Sequence, residues 1–463
     1  MKKCYFLIFL FGSILIGSCT KGKTVRSLFD GENINQWETR GNVKLENRIF
    51  TLEDDASAIL KKGDFKDFEL QLSARTVGKG KGFIAFHTDK NGEGGYQVAL
   101  NNDLESPRWW TKTGSLLGVR NLTKSVAKSN EWFEMIIRVE GKTITVRLND
   151  YPVVEYTEPL IPYRTSEHAS QLISHGNICI KNSSEGSLEF RSITITPIDI
   201  SGLDITRQQR EKSIDETTDE IIRLHQSDFP VLDYHVHLKE KLTRELAAEQ
   251  SCKYGINYAL APNCGIGFPI TCDEQAIAYL DSMKGQPFLH AMQGEGREWP
   301  TTFSKEVRDK FDFVFTDAMT FTDNKGRRTR LWIPEEVWIE DEQQYMDFIV
   351  QKICEVMKEP MDVYVNPLFL PDQMSDRYDT FWTEERMNKV IAAMVANDKA
   401  LEINNRYRIP HKPFIEKAKA AGLKFTFGTN NTDADFGKLE YCIHMMKECG
   451  ITAEDMFKPN IKE

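Results

Sequence analysis

The chain lacks several features that would assign it to a familiar class. Its 463 residues contain no Cys-x-x-Cys pair, and seven of its nine cysteines follow residue 19, an odd number that argues against a zinc knuckle or a full disulfide framework. A net charge of -10 argues against nucleic-acid binding. No internal repeat is visible, and no apolar run reaches the about 20 residues that a spanning helix needs. The length instead predicts two to three folded domains.

The first 19 residues have the pattern of an export signal. Two lysines follow the first residue, and an apolar core occupies residues 4–16. Ile16-Gly17-Ser18-Cys19 resembles the lipobox of bacterial lipoproteins, which implies lipidation of Cys19 and a lipid anchor in the membrane. The residues after Cys19 lack an acidic run typical of surface export. We therefore expect a cell-envelope protein that faces the periplasm rather than the cell surface.

Residues 27–197 show the period-two alternation of β-strands. Residues 68–74, 135–139 and 144–148 alternate apolar and polar side chains, and Asn149-Asp150 predicts the turn of a β-hairpin over 143–156. Many short strands without helices predict an all-β jelly-roll sandwich.

This half resembles the 3-keto-disaccharide hydrolase family, whose domain has a concanavalin-like jelly roll. Segments that match its pattern occur in the expected order across the half: Leu28-Phe29-Asp30-Gly31 with Trp37, Asp67-Phe68-Glu69-Leu70, Gly82-Phe83-Ile84, Gly95-Tyr96-Gln97-Val98, Glu131-Trp132-Phe133 and Leu188-Glu189-Phe190-Arg191-Ser192-Ile193. Where the family often has Gln-x-His, this chain has Ile180-Lys181-Asn182. The resemblance implies a carbohydrate substrate.

Aromatic side chains in this half are candidates for sugar binding. Tyr96, Trp109 and Trp110 are predicted to form a stacking platform, because pyranose C–H faces pack on aromatic rings; the equal alternative is that they cap the core. Glu69 and His87 are open candidates for acid/base groups.

A charged segment, residues 198–228, separates the halves. Its residues 206–225 predict a polar, solvent-exposed linker helix. From residue 229 to 463 short apolar strands alternate with amphipathic helices such as 340–356, 384–396 and 412–420, which predicts a seven-stranded, distorted TIM-like parallel barrel. The seven predicted strands are 232–236, 257–261, 287–292, 311–316, 361–365, 400–403 and 423–427.

Polar residues follow each predicted barrel strand, where barrel enzymes carry their active sites. Asp233-Tyr234-His235-Val236-His237 places three chemically competent side chains at spacing two, on one face of a strand. The polar residues at the strand ends are His235, His237, Asn263, Gln293, Glu295, Asp317, Asn366, Asn404, Asn430 and Asn431.

The second half resembles the PHP (polymerase and histidinol phosphatase) superfamily of metal-dependent phosphoesterases. Asp233-Tyr234-His235-Val236-His237 is similar to its opening motif, Gln293-Gly294-Glu295 to the strand that carries a bridging glutamate, and residues 400–405 to a late strand. At the final motif, Gly428-Thr429-Asn430-Asn431-Thr432 replaces Gly-Ser-Asp-x-His, and Asn366-Pro367 replaces His-Pro. Neutral amides bind divalent metals weakly, so a full three-metal cluster is not expected.

One divalent metal (Zn, Mn or Fe) is the favoured expectation, held by His235, His237 and Glu295 or another carboxylate such as Asp433. Without metal, the same histidines would transfer protons. These four residues are the predicted catalytic set. Asn404 and Arg406 are predicted substrate contacts, although a basic loop that starts a helix also explains Arg406 and its neighbours.

Together these patterns predict a cell-envelope hydrolase that acts on (3-keto) glycosides. The alternatives are a PHP-type phosphoesterase with a lectin-like accessory domain, and a glycan-binding lipoprotein without catalysis. Multiple metals per chain would favour the first alternative, and binding without turnover the second.

Overall fold

The computed structural model describes residues 24–462. The predicted export signal and the lipidation site Cys19 lie outside this range. Within it, no helix combines the length and apolarity needed to cross a membrane.

The N-terminal part is all-β, as predicted. Its eleven strands are β1 (Arg26–Phe29), β2 (Trp37–Glu46), β3 (Ile49–Leu60), β4 (Phe68–Val77), β5 (Lys81–Thr88), β6 (Tyr96–Asn101), β7 (Phe133–Glu140), β8 (Thr143–Leu148), β9 (Tyr151–Thr157), β10 (Asn177–Asn182) and β11 (Ser187–Pro197).

These strands form one curled antiparallel sheet. The hydrogen-bonded order is β6-β5-β10-β3-β11-β4-β7-β8-β9, with β1 on β11 and β2 on β3. β3 bends the sheet, because residues 50–53 pair with β11 whereas residues 57–59 pair with β10. Asp54 has a φ of 51° at this bend. Because the sheet curls, strands that are far apart in the hydrogen-bonded order pack against the same apolar core.

The predicted hairpin is confirmed at β8 and β9. Asn149 and Asp150 have φ values of 47° and 65°, so both central residues of the turn are left-handed. A two-residue turn of this hand matches the twist of paired strands, and Asn and Asp adopt it at low cost.

The C-terminal part is a nearly closed parallel barrel surrounded by helices. The barrel order is β12-β13-β15-β16-β19-β20-β21, and the Asn430 amide nitrogen donates to the His235 carbonyl oxygen at 2.9 Å where the last strand meets the first. The strands are β12 (Leu232–Val236), β13 (Asn257–Leu260), β14 (Asn263–Cys264), β15 (Leu289–Gly294), β16 (Phe313–Thr316), β17 (Thr320–Thr322), β18 (Arg328–Arg330), β19 (Val363–Tyr364), β20 (Ala400–Asn404) and β21 (Phe425–Gly428).

All seven predicted barrel strands are present at their predicted places. Two features were not predicted: β14 pairs with β15 beside the barrel order, and β17 and β18 form a separate hairpin. The helices are α1 (Ile205–Lys212), α2 (Glu220–Gln226), α3 (Arg244–Tyr254), α4 (Asp273–Ser282), α5 (Trp299–Thr302), α6 (Lys305–Arg308), α7 (Glu342–Val356), α8 (Asp372–Ser375), α9 (Tyr378–Phe381), α10 (Glu384–Ala396), α11 (Lys412–Ala420) and α12 (Glu440–Cys449).

The prediction of one exposed linker helix over 206–225 is wrong. The segment forms α1 and α2, and α2 buries Ile222 in the sheet core and Leu224 in the barrel core. Between the helices, Glu216 is buried and pairs with Arg164 at 2.9 Å. The apolar residues are too few to give a helical stripe, yet those of α2 pack into both cores.

Candidate functional site

His235 of β12 and His237, which directly follows the strand, lie at the barrel mouth, the end where the carboxyl ends of the parallel strands meet. Spacing two on a strand directs both rings to the same side, and their centroids are 5.0 Å apart. Both side chains are buried, and Phe315 of β16 packs on His235 at 4.6 Å between ring centroids. The predicted convergence of His235 and His237 is therefore present in the fold.

Glu402 orients His235. Its Oε1 lies 2.6 Å from His235 Nδ1, and both side chains are fully buried. A carboxylate at Nδ1 favours the tautomer with the proton on Nδ1, which leaves the Nε2 lone pair available. His235 Nε2 is buried and has no hydrogen-bond partner within residues 24–462. An imidazole arranged in this way can accept a proton.

Glu402 was not among the predicted site residues. It is the only charged residue of β20, inside a strand that is otherwise apolar apart from its last residue, and this contrast is the sequence signal that identifies it. Its Oε2 accepts from the Asn366 amide nitrogen at 2.7 Å and from Asn404 Nδ2 at 2.9 Å. Gly428 faces the pair, since a Cβ there would lie 2.1 Å from Glu402 Oε1.

His237 is oriented by the backbone. Its Nδ1 lies 2.7 Å from the Ala261 carbonyl oxygen, which again leaves the Nε2 lone pair available. Asn431 holds the strand around it, since its Oδ1 accepts from the His237 amide nitrogen at 2.8 Å and its Nδ2 donates to the His237 carbonyl oxygen at 2.9 Å. Burial lowers the pKa of His237 well below its usual value, so this ring is neutral.

Glu295 follows β15 and is a buried acid. Asn263 Nδ2 donates to its Oε1 at 2.5 Å. Burial, and then the negative charge of Asp317, raises the pKa of Glu295 to about 8. Arg297 and Lys239 oppose this shift and do not cancel it. Near neutral pH the carboxyl group is protonated and can donate a proton.

Amide side chains connect the remaining strand ends. Asn366 Oδ1 accepts from Asn404 Nδ2 at 2.9 Å and from Asn430 Nδ2 at 2.8 Å, and Asn366 Nδ2 donates to Asp317 Oδ2 at 3.2 Å. The network extends through Asn404 to Glu402. Because Glu402 also contacts His235, polar residues predicted at the ends of five strands meet in one buried network.

Asp433 lies apart from this network. Its Oδ1 accepts from the Lys241 amide nitrogen at 2.9 Å, and its Oδ2 is 3.9 Å from Lys241 Nζ. The contacts of its carboxylate tie two loops together. They do not include His235 or His237.

The predicted three-ligand metal site does not fit the side chains as they are arranged. Across residues 24–462, no three His, Cys, Asp or Glu side chains come close enough to hold a metal ion. His235 and His237 provide two imidazoles with free Nε2 atoms, whereas the Glu295 carboxyl group accepts a hydrogen bond from Asn263. Two neutral ligands are fewer than a resident Zn, Mn or Fe ion requires.

The predicted aromatic platform is corrected by burial. Tyr96 is 0% exposed, stacks on Phe86, and donates its hydroxyl to Glu158 Oε2 at 2.7 Å. Trp109 and Trp110 are 3% and 7% exposed and belong to the barrel core. Their apolar rings pack between the two parts of the molecule, which leaves no open face for a sugar.

A cavity beside the mouth carries aromatic side chains that sequence reasoning did not select. Its volume is about 460 Å³, and its walls include Trp332, Phe369, Tyr407 and Arg406. Trp332 is 41% exposed. The Tyr407 amide nitrogen donates to Asn404 Oδ1 at 2.9 Å, so this cavity adjoins the buried network. Of the two predicted substrate residues, Arg406 lines this cavity, whereas Asn404 is buried in the adjoining network.

Comparison with known proteins gives a family match for the first domain. Residues 24–196 match the family model of the 3-keto-alpha-glucoside-1,2-lyase-like domain. A search of curated proteins finds no match.

Three solved structures are similar over less than two fifths of this chain. A candidate glycosyl hydrolase from Parabacteroides distasonis has 16% identity and a TM-score of 0.35, covering 39% of this chain and 96% of its own. A second one from that organism has 22% identity and a TM-score of 0.30, covering 38% and 100%. The carbohydrate binding module CBM66 from Bacillus subtilis has 15% identity and a TM-score of 0.27, covering 35% and 95%. The family match indicates a carbohydrate-related function for the N-terminal domain.

Proposed function

We propose that the protein is a carbohydrate-processing hydrolase of the cell envelope, that it acts on (3-keto) glycosides, and that the barrel mouth carries its acid/base site. The observation that carries the proposal is the imidazole of His235, oriented by Glu402 with its Nε2 free; the protonated carboxyl group of Glu295, at another strand end of the same mouth, supplies the acid. An imidazole with a free Nε2 can act as a base, and a protonated carboxyl group can act as an acid. The family match of residues 24–196 supports the class of substrate.

The chemistry follows from the acidity of a keto sugar. A ketone at C3 acidifies the C2 hydrogen, which His235 Nε2 removes as a proton. The electron pair forms the C1–C2 double bond as the glycosidic C–O bond breaks, and Glu295 protonates the leaving oxygen. Water then adds across the double bond, its hydroxyl to C1 and a proton to C2, and the net reaction is hydrolysis. Asn430 Nδ2 uses one proton on Asn366 Oδ1 and has a second one with which to stabilise the intermediate enolate.

The cavity at Trp332, Tyr407 and Arg406 supports the binding step. Exposed aromatic rings pack on the C–H faces of sugars, and a guanidinium donates to hydroxyl or carbonyl oxygens. Because Tyr407 contacts Asn404, a sugar held in this cavity adjoins the strand that carries Glu402.

The test uses the full chain and a 3-keto-glucoside with a p-nitrophenyl aglycone. We expect His235→Asn to lose roughly 10³-fold in kcat/KM, since general-base catalysis contributes about 10²–10⁴-fold. His444→Asn is the matched control, because His444 is an exposed histidine of α12, and it should leave kcat/KM unchanged.

Other outcomes separate the alternatives. Full activity of His235→Asn contradicts the assignment of the mouth. Turnover of p-nitrophenyl phosphate that EDTA abolishes and metal restores favours a metal-dependent phosphoesterase. Saturable binding of the keto sugar without release of p-nitrophenol favours a glycan-binding protein.

A further inference from the structure

A second cavity lies between the two domains, at the end of the barrel opposite the mouth. Its volume is about 570 Å³, within the roughly 300–1,000 Å³ typical of small-molecule sites. One wall comes from residues 102–129 of the N-terminal domain. The other comes from α4, the start of β15 and the residues just before β16, and residues 461–462 complete the lining.

The lining is rich in lysine although the chain as a whole is acidic. Three aspartates also line the cavity, and all three are paired: Asp312 with Lys124 at 3.1 Å, Asp281 with Lys284 at 2.6 Å, and Asp309 with Lys305, which lies outside the lining. In a protein of net charge -10, this wall has an excess of positive charge. The six lysines are Lys112, Lys124, Lys128, Lys284, Lys310 and Lys462.

Lys112 is the least expected of them. It is 2% exposed, and its Nζ donates to the Asp103 carbonyl oxygen. No carboxylate of residues 24–462 lies within salt-bridge distance of it. Burial lowers the pKa of Lys112 to about 8. A buried ammonium without a counter-ion is costly, and an anion in the cavity would offset that cost.

His290 adds an unpaired polar atom to the same wall. Its Nδ1 is buried and has no hydrogen-bond partner in the described part of the chain, and the residue is 9% exposed. Its backbone is fixed, because the His290 amide nitrogen donates to Asp312 Oδ2 at 2.6 Å. Buried polar atoms are normally satisfied, so an unsatisfied one on a cavity wall indicates a ligand.

Much of the remaining wall is apolar, including Leu104, Leu280 and Met283. A bare inorganic ion would leave these side chains against water. A molecule with one acidic group and C–H faces matches both kinds of wall.

We propose that this cavity binds an acidic sugar, a monosaccharide carrying a carboxylate or a phosphate, with its acidic group at Lys112 and its C–H faces on the apolar wall. The anionic group follows from the lysines, and His290 Nδ1 offers it a further hydrogen bond. The choice of a sugar rests on the proposed function. The site lies at the opposite end of the barrel from the mouth, so its occupant is distinct from a substrate bound there.

Isothermal titration calorimetry of the full chain tests the proposal with glucuronate and glucose 6-phosphate as probes. We expect saturable binding of one of them, weakened roughly tenfold or more in Lys112→Met, because hydrogen bonds to charged groups are the strong ones. The probe that binds identifies the acidic group as carboxylate or phosphate. Raising the salt concentration should weaken binding further.

An exposed rim variant guards against misfolding of Lys112→Met. Lys310 is exposed and lines the cavity, so Lys310→Met should fold normally and weaken binding about two- to fivefold. Lys389→Met, on the outer face of α10, is the matched control and should bind as the wild type does.

Three results would overturn the proposal. The first is no saturable binding of either acidic sugar. The second is equal binding by Lys310→Met and the wild type. The third is binding of inorganic phosphate or of glucose as tight as that of the acidic sugars. Tight binding of phosphate would show that the sugar ring is not recognised, and tight binding of glucose would show that the acidic group is not recognised. The proposed function is tested separately, because its assay uses His235→Asn, which leaves this cavity intact.

Discussion

At the scale of single residues, the site depends on two buried carboxyl groups in different surroundings. Glu402 contacts His235 Nδ1 and accepts from two nitrogens of its neighbours, so its position relative to the imidazole is fixed. Glu295 is buried beside Asp317, an arrangement that stabilises the protonated acid. The two environments give the carboxyl groups different roles: Glu402 orients His235, and Glu295 is the acid.

The first prediction concerns Glu402→Gln. The amide keeps the shape of the side chain but no longer favours the Nδ1-protonated tautomer of His235, so we expect kcat on the keto-glucoside to fall roughly 10²- to 10⁴-fold. Steady-state kinetics measures this loss. Glu416→Gln, in α11 with an exposed side chain, is the control. A rise in KM with kcat unchanged would show that Glu402 acts on binding instead.

The second prediction concerns the pH dependence of stability. The pKa of Glu295 is about 8 in the folded protein and 4.5 as its ordinary value, so the folded state binds the extra proton between these pH values. Its contribution is complete below pH 4.5 and is lost as pH rises through 8. On the order of 5 kcal/mol is at stake across this window.

Glu295→Gln removes that titration. In urea unfolding, we expect the variant and the wild type to be similar at pH 5 and the variant to be more stable at pH 8.5. Taking the difference between the two proteins cancels other titrating groups, such as Asp233, whose pKa burial raises to about 6. A constant difference across the window contradicts the assignment of the raised pKa to Glu295.

Sequence reasoning identified the residues whose spacing is local. His235 and His237 share a strand face, and the amides follow strand ends, so both patterns could be read from neighbouring positions. Glu402 acts on His235 across 167 positions of sequence, and the burial of Tyr96 depends on Phe86 and Tyr156 from other strands. Contacts of this kind follow from the fold and not from local pattern.

At the scale of elements, the segment between the domains is a structural bridge. Glu216, which lies between α1 and α2, accepts from Tyr156 at 2.7 Å, from the Tyr163 amide nitrogen at 2.7 Å and from Arg164 at 2.9 Å. The polar composition of residues 198–228 favours an exposed linker. Composition alone could not reveal that an arginine 52 positions earlier meets this carboxylate in a buried site.

The third prediction follows from this bridge. Glu216→Gln leaves Arg164 without its counter-ion in a buried place, which costs about 3–5 kcal/mol of unfolding free energy. Urea unfolding measures the change. Glu211→Gln on α1 removes an exposed pair with Arg207, and should change stability by less than about 1 kcal/mol. Equal effects of the two substitutions would contradict the structural role of Glu216.

The fourth prediction concerns the end of β21. A Cβ on Gly428 would lie 2.1 Å from Glu402 Oε1 and 2.9 Å from His235 Cβ, so Gly428→Ala must displace the oriented pair. We expect a loss of about 1–3 kcal/mol in stability and a larger relative loss of activity. Gly202→Ala has open space around the added carbon and is the control. Normal activity of Gly428→Ala would show that the pair tolerates displacement.

At the scale of the whole molecule, the two domains share an extensive polar interface. Arg120 of the sheet domain donates to the Lys253 carbonyl oxygen at 3.0 Å, and His225 Nε2 lies 2.9 Å from the Gly255 carbonyl oxygen. Both domains were predictable because strand and helix periods are local properties. Their interface was not, because it is built from loop residues, among them residues 102–129, whose sequence has no regular period.

The fifth prediction tests whether this interface couples the domains. Asn257 of β13 donates to the Asn121 and Val231 carbonyl oxygens, both at 2.9 Å, and accepts from the Thr123 amide nitrogen at 3.1 Å. In calorimetry we expect the full chain to unfold in one transition. Asn257→Ala leaves buried backbone groups unpaired at about 1–3 kcal/mol each, and should lower Tm by several degrees.

Asn324→Ala, in the exposed turn between β17 and β18, is the control and should leave Tm unchanged. Two separate transitions in the unmodified protein would show that the domains unfold independently. In that case the interdomain hydrogen bonds position the cavity between the domains without adding to the stability of either domain. A single transition that splits in Asn257→Ala would instead assign the coupling to this contact, because one amide joins β13 to two backbone groups of the sheet domain.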